Sequence, residues 1–313
     1  MADHSSRLDL IQRAAKRLKV DGDVGLAGLQ LAHEEVEQQP RSEAISSPPD
    51  SRATLRSTTN EAATDIRINF SELRRRGMIT PDNLSSTISF EFRAIKRKLL
   101  AAARDANSNA MTKNLIMITS ALPGEGKTFT ATNLALALAA ERDLRVLLIE
   151  ADAIKPTVGQ LFENSCSTGF TDLLTGNCTK VSDVMHRCAE LPNLSVIFSG
   201  KRDEHAPELI SSRRTADLLT EISKQYDNRV VIFDTPPVLG SSEPANLAAY
   251  MNQIVVVVAA GAANRSQIQT ALETISTCPN VSIVFNKAPK WHKPDSSSYY
   301  YYRSDDAPAV SSN

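Results

Sequence analysis

The stretch that most constrains this chain is Leu115 to Ala135, LIMITSALPGEGKTFTATNLA. Leu115-Ile116-Met117-Ile118 is apolar and rich in β-branched residues, and it reads as a buried strand. It gives way to the turn Pro123-Gly124-Glu125-Gly126-Lys127-Thr128, which opens onto a helical pattern. Strand, loop and helix in this order form the context a phosphate-binding loop requires. Glycines let the backbone approach a ligand, successive N–H groups then point inward, and the helix N-terminus adds positive potential. The candidate nucleotide-binding residues are Pro123, Gly124, Glu125, Gly126, Lys127, Thr128 and Phe129. Lys127 is placed to neutralise β- and γ-phosphates, and the Thr128 hydroxyl to ligate Mg²⁺. The full spacing G-x-x-x-x-G-K-[ST] asks for glycine at position 121, where the chain has Ala121. The plainer reading is a glycine turn ahead of an ordinary helix, and Gly-Lys-Thr directly after a buried strand argues against it.

From about Asn114 to Lys287, short apolar runs alternate with helical patterns. The runs are Leu115–Thr119, Val146–Ile149, Leu194–Ile197, Val230–Phe233, Ile254–Val258 and Val281–Phe285. This alternation predicts βαβ units and an α/β fold: a doubly wound, mostly parallel sheet flanked by helices, of the phosphate-loop NTPase type.

Two further strands end in acids. Val146–Ile149 runs into Glu150-Ala151-Asp152, and Val230–Phe233 into Asp234-Thr235-Pro236-Pro237. Carboxyl ends of parallel strands lie at the sheet edge where open α/β folds bind ligands, and the phosphate loop leaves the same edge. Up to three carboxylates thus meet a bound polyphosphate, as Mg²⁺ prefers. The metal candidates are Thr128, Glu150, Asp152 and Asp234. The alternative for the two aspartates is that each caps the helix following it; two such strands together with Gly-Lys-Thr favour nucleotide chemistry.

The segments outside the core read differently. Residues 5–19 predict an amphipathic helix with Leu8, Ile11, Ala15 and Leu18 on one face and Arg7, Arg13, Lys16, Arg17 and Lys19 on the other. It either lies on an anionic membrane or docks a partner, or it packs on the body of the protein. Residues 20–65 lose periodicity and read as a linker rich in Ser, Glu, Gln and Pro. A short helix follows, with Ser71 as its expected N-cap, Gly77 as its stop and Pro81 barring continuation. Ser89 to Asp105 predicts a stronger helix, with Phe92, Ile95, Leu99 and Ala102 on one face and Arg93, Lys96, Arg97 and Lys98 forming a basic one. From Trp291 the chain reads as disordered, and Tyr299 to Tyr302 supply four of its six tyrosines. The expected organisation is residues 1–68, amphipathic helix and linker; 69–112, a helical extension with a possible role in oligomerisation; 113–290, the nucleotide domain; and 291–313, the tail.

A formal net charge of −1 offers no basic field for nucleic acid. Cys166, Cys178, Cys188 and Cys278 show no C-x-x-C spacing, so metal or disulfide use is not expected and a reducing cytosol fits. No apolar run approaches the roughly 20 residues that span a bilayer, and MADHSSRLDL lacks the apolar core of a secretory signal. Work at a membrane would therefore need a partner.

PGEGKT, the strand ending in Glu150–Asp152, FDTPP and the tyrosine-rich tail together resemble the bacterial protein-tyrosine kinases of exopolysaccharide and capsule loci, and more narrowly the cytoplasmic autokinases whose transmembrane activator is a separate protein. The resemblance covers most of residues 69–302. It takes in Gly169-Phe170-Thr171-Asp172-Leu173-Leu174, Ala206-Pro207-Glu208-Leu209 and Phe285-Asn286-Lys287, while AAKRL and RGMITP are similar to the exosortase-linked variant. It implies catalytic roles for Lys127, Asp152 and Asp234. Lys127 and Thr128 correspond to the loop lysine and Mg²⁺ hydroxyl, Asp152 to an acid that holds Mg²⁺ and helps deprotonate tyrosine, and Asp234 to the Walker B aspartate. Asn286 falls where the family contacts adenine. Tyr299, Tyr300, Tyr301 and Tyr302 correspond to the acceptors phosphorylated on a neighbouring subunit. The resemblance also implies ATP and Mg²⁺ as cofactors. The implied partners are a chain-length-regulator-type membrane activator, further copies of the chain and a phosphotyrosine phosphatase. The place of action is the inner face of the plasma membrane.

The chain departs from the family pattern at several places. Glu150 replaces an aspartate, Ile154 stands where arginine is common, and the oligomer motif E-x-x-R-x-x-R is occupied by Phe90, Arg93 and Lys96, with Glu91 one position late. Two rival readings remain. One is a partition or division-site ATPase switch, whose extra loop lysine is here Leu122. The other is an ATP-binding, non-catalytic regulator of polysaccharide export.

Overall fold

The computed structural model describes residues 65–103, 114–163, 167–201, 206–226 and 229–288. The expected N-terminal helix, most of the linker and the tyrosine cluster lie outside them. Among the described residues nine strands form one sheet, in the order β4 (Phe162–Glu163), β1 (Asp65–Ile68), β5 (His186–Cys188), β6 (Leu194–Ile197), β3 (Arg145–Glu150), β7 (Arg229–Asp234), β2 (Leu115–Ser120), β8 (Gln253–Ala259), β9 (Val281–Asn286). Its centre is β2, β3, β6, β7, β8 and β9. All neighbours within this group run parallel. These are the six strands the apolar runs predict.

Period-two alternation divides each central strand between two cores. Leu115 and Met117 of β2, Leu147 and Ile149 of β3, and Val231 and Phe233 of β7 face one side. Ile116, Ile118, Val146, Leu148 and Ile232 face the other. Both faces of β2, β3, β6, β7 and β8 are buried because helices cover both, as a parallel sheet requires, whereas β9, last in the order, leaves Ile283 and Phe285 exposed. α2 (Thr87–Ala103) and α3 (Lys127–Ala139) lie over the second face. There Phe92 of α2 meets Phe129 edge-on, with ring centroids 6.2 Å apart. The first face is covered by α4 (Phe170–Thr175), α5 (Ala206–Ile210), α6 (Arg213–Gln225), α7 (Glu243–Ala248) and α8 (Arg265–Thr274).

The edge was not predicted. β1 (Asp65–Ile68), β4 (Phe162–Glu163) and β5 (His186–Cys188) extend the sheet, with β1 antiparallel to β4 and β5 antiparallel to β6. β1 takes up the last residues assigned to the N-terminal segment, because Ile66 and Ile68 are buried while Asp65 and Arg67 face out. The short helix α1 (Phe70–Arg75) is capped by Asn69 rather than Ser71. The Asn69 carboxamide oxygen accepts from the Glu72 N–H at 3.0 Å, leaving Ser71 to donate its hydroxyl to the same oxygen. Gly77 ends the helix at a φ of +67°, and Pro81 opens a separate 3₁₀ turn. On α2, Lys96 pairs with Glu141 of the same domain and the Arg93 guanidinium stacks over Phe90 at 5.1 Å, so part of the basic face has an internal use. No helix among the described residues is long and apolar enough to cross a membrane.

Candidate functional site

β2, β3 and β7 lie side by side and bring three motifs to one edge. In the ladder Glu150 pairs with Asp234 and Asp234 with Ile118, three residues before the bend begins at Ala121. The loop 121–126 then turns into α3, whose N-cap is Gly126 at a φ of +101°. A Cβ on Gly126 would stand 2.1 Å from the Asn286 amide nitrogen, so glycine is required there on both counts.

Two buttresses hold the loop. Glu125 is fully buried, and its carboxylate accepts from the Leu122 N–H at 2.7 Å and the Ala259 N–H, at the end of β8, at 3.2 Å. From β9, the Asn286 amide donates to the Glu125 carbonyl at 2.9 Å and the Lys287 ammonium to the Gly124 carbonyl at 2.9 Å. Asn286, expected at the adenine, thus engages the loop backbone. The half-buried Phe129 ring packs against the core.

Lys127 Nζ lies 3.1 Å from Asp152 Oδ2, with 13% and 5% of the two side chains exposed. The other Asp152 oxygen accepts from the Lys155 N–H at 2.9 Å, so this residue both shapes its turn and faces the loop lysine. Asp234 is 1% exposed and neither of its oxygens has a hydrogen-bond partner; the neighbouring Thr128 hydroxyl completes no bond of ordinary geometry to it. Burial pushes its carboxyl up to about 7, and the charges of Glu150 and Asp152 act in the same sense. The Lys127 ammonium and the Thr128 hydroxyl pull it down. Capping does not account for Asp234, since no backbone N–H reaches it. A buried carboxylate with two idle oxygens beside a lysine and a hydroxyl is a donor set suited to a hydrated Mg²⁺.

Glu150 behaves differently from the expectation that it helps hold the ion. Oε1 accepts from the N–H groups of Thr157 at 2.5 Å and Val158 at 2.6 Å, and Oε2 accepts from the Ser199 N–H at 3.2 Å. Both oxygens are engaged by backbone, and the extra methylene of glutamate supplies the reach. Burial raises this carboxyl, and the three amides act against that rise. The sequence carries no local signal for this anchoring, nor for the buried destination of the Glu125 side chain.

A family model described as an AAA domain matches residues 113–284. The "Tyrosine-protein kinase YwqD" of Bacillus subtilis (strain 168) is 33% identical over 213 residues, covering 68% of this chain and 86% of that protein. The "Tyrosine-protein kinase ptk" of Acinetobacter johnsonii is 37% identical over 161 residues, 51% of this chain and 21% of that protein; the chain spans about a fifth of its length. Among solved structures, the "chimerical protein CapA2B2" superposes with a TM-score of 0.59 at 28% identity, over 72% of this chain and 95% of that one.

Proposed function

The chain belongs to the bacterial tyrosine kinases, built on an AAA-type nucleotide-binding domain, and from that premise we propose that it is an ATP-dependent protein-tyrosine autokinase acting in capsule or exopolysaccharide production. The observation that carries the reading is the convergence of Lys127, Thr128, Asp152 and the unpartnered Asp234 on one sheet edge. Loop N–H groups and Lys127 would hold the triphosphate of ATP, and Thr128, Asp152 and Asp234 would hold Mg²⁺. The bound ion supplies positive charge to the β- and γ-phosphate oxygens.

Lys127 leaves Asp152 for the phosphates when nucleotide arrives, which frees Asp152 Oδ2. Asp152 then orients the phenol of an incoming tyrosine and takes its proton; with an ordinary pKa near 10, the phenol needs that help at neutral pH. The phenolic oxygen bonds to the γ-phosphorus as the bond to the β-phosphate oxygen breaks, leaving phosphotyrosine and ADP. The acceptors are Tyr299 to Tyr302 on another copy of the chain. Each phosphate adds about −1.5 to −2 charges, which repel the acidic edge and loosen the assembly. A separate membrane protein recruits and activates the kinase at the inner face of the membrane, and a phosphotyrosine phosphatase resets it.

The test is mass spectrometry of the tail after incubation with MgATP. Wild type should carry phosphate on Tyr299 to Tyr302, and Lys127→Met none. Equal labelling of both would overturn the reading. Labelling of neither, with ATP still bound and an activator added, would favour the non-catalytic regulator. Nothing favours the partition-type switch: Leu122, which stands where that switch carries a lysine, packs on the core.

A further inference from the structure

Thr157 is the N-cap of the 3₁₀ turn Val158–Leu161, yet its side chain makes no capping bond. A threonine there ordinarily uses its hydroxyl on the first amides of its own helix. Here the buried Glu150 carboxylate accepts from the N–H groups of both Thr157 and Val158, the amides just ahead of those a cap hydroxyl would serve. The Thr157 hydroxyl turns away from its own helix and donates to Thr128 Oγ1 at 3.2 Å. The contact ties the segment after β3 to the first turn of α3.

We infer that Thr157 is a positioning residue for the Thr128 hydroxyl, held in place by Glu150, and that it sets the affinity of the site for Mg²⁺; the inference rests on the reading of Thr128 as the ion's hydroxyl ligand. A threonine hydroxyl has one hydrogen and two acceptor sites. With Thr157 donating to one site, the other is left for the cation, and the Thr128 hydrogen turns toward a remaining acceptor. Asp234, the neighbouring buried carboxylate with both oxygens unpartnered, can serve as that acceptor. Thr157 thus fixes a rotor that would otherwise turn freely, and the Glu150 anchor fixes Thr157. This gives the glutamate a function toward the ion without its touching the ion. Partners of this kind around metal ligands typically alter metal affinity by about 10- to 100-fold, and a neutral hydroxyl belongs at the low end.

The experiment is calorimetric titration of the full chain with ADP at stepped Mg²⁺ concentrations, using wild type, Thr157→Val, Thr157→Ala, Thr157→Ser and Thr128→Val. Thr157→Val and Thr157→Ala should raise the Mg²⁺ concentration for half-maximal tightening of ADP binding about tenfold. Thr157→Ser should restore the wild-type value. Affinity for ADP without Mg²⁺ should be equal in wild type and all three Thr157 variants, which also reports that they are folded. Coincident Mg²⁺ curves for wild type and Thr157→Val overturn the inference, as does an equal loss of ADP affinity with and without Mg²⁺. Thr128→Val separates the two levels: if it has the Mg²⁺ dependence of wild type, the assignment of Thr128 fails first and this inference falls with it.

Discussion

The Lys127 ammonium and the Asp152 carboxylate form an ion pair at 3.1 Å, almost wholly shielded from water. Removing one partner of a buried pair leaves the other uncompensated, at a typical cost of about 3–5 kcal/mol. Lys127→Met should therefore lower the stability of nucleotide-free protein by about 3 kcal/mol as well as abolishing phosphotyrosine. Adding Asp152→Asn to that variant should recover much of the loss. Urea unfolding of the two single variants and the double measures the coupling, and strict additivity would show that the pair contributes nothing.

Asp234 gives a pH dependence of definite sign. Its carboxyl rises from an ordinary 3.8 to about 7, worth about 4 kcal/mol. Between pH 4 and 7 the folded state keeps a proton that the unfolded chain has released, so this group lowers stability as pH rises through that window and adds no slope above it. Asp234→Asn removes the contribution. In ligand-free protein it should be more stable than wild type at pH 8, by up to about 4 kcal/mol, and nearly equal to it at pH 4. Denaturant unfolding at both values checks the sign, and a wild type that is the more stable at pH 8 refutes it. The same variant should lose Mg²⁺-dependent ADP binding.

Glu125 is the side chain on which the shape of the phosphate loop depends. Its carboxylate serves two buried amides, of Leu122 and Ala259, and an unsatisfied buried donor costs about 1–3 kcal/mol. Glu125→Ala should destabilise the protein by about 2–5 kcal/mol and weaken ADP binding at least tenfold. Glu125→Gln, which keeps one acceptor oxygen, should fall between the two. Thermal unfolding and calorimetry read both effects.

The sequence reveals the parts of this fold that are set locally and hides those set by partners. The six parallel strands are legible because each is a predominantly apolar run, five of them buried on both faces and β9, at the end of the sheet, partly exposed. β1, DIRI, and β5, HRC, carry charges within very few residues, and only pairing with their neighbours makes them strands. In the site, Lys127, Thr128, Asp152 and Asp234 are legible because strand ends and loop share one edge by topology. The uses of Glu125 and Asn286 are not, because each finds a partner far along the chain: Ala259 lies 134 residues from Glu125. Glu150 is hidden because its partners are backbone amides, of Thr157, Val158 and Ser199, which no side-chain pattern reveals. Asn69 displaces Ser71 as the cap for a related reason. Two side chains compete within one turn, and the better-placed oxygen wins.

Asn286 and Lys287 supply the last prediction. They close β9 at the sheet edge and reach back across the site to the Glu125 and Gly124 carbonyls. The Lys287 backbone sits at a φ of +54°, an uncommon conformation for a residue with a side chain, and it brings the ammonium over the loop. Each bond is worth about 1 kcal/mol, and both act on loop position rather than on the core. Asn286→Ala with Lys287→Ala should therefore weaken ADP binding about tenfold while lowering global stability by about 1–2 kcal/mol. Asn286→Asp separates support from adenine recognition: it keeps the size of the side chain but replaces the donor with an acceptor facing a carbonyl. If Asn286 acts through the loop, Asn286→Asp weakens ADP and GDP equally. A selective loss of ADP would place the residue at the base instead.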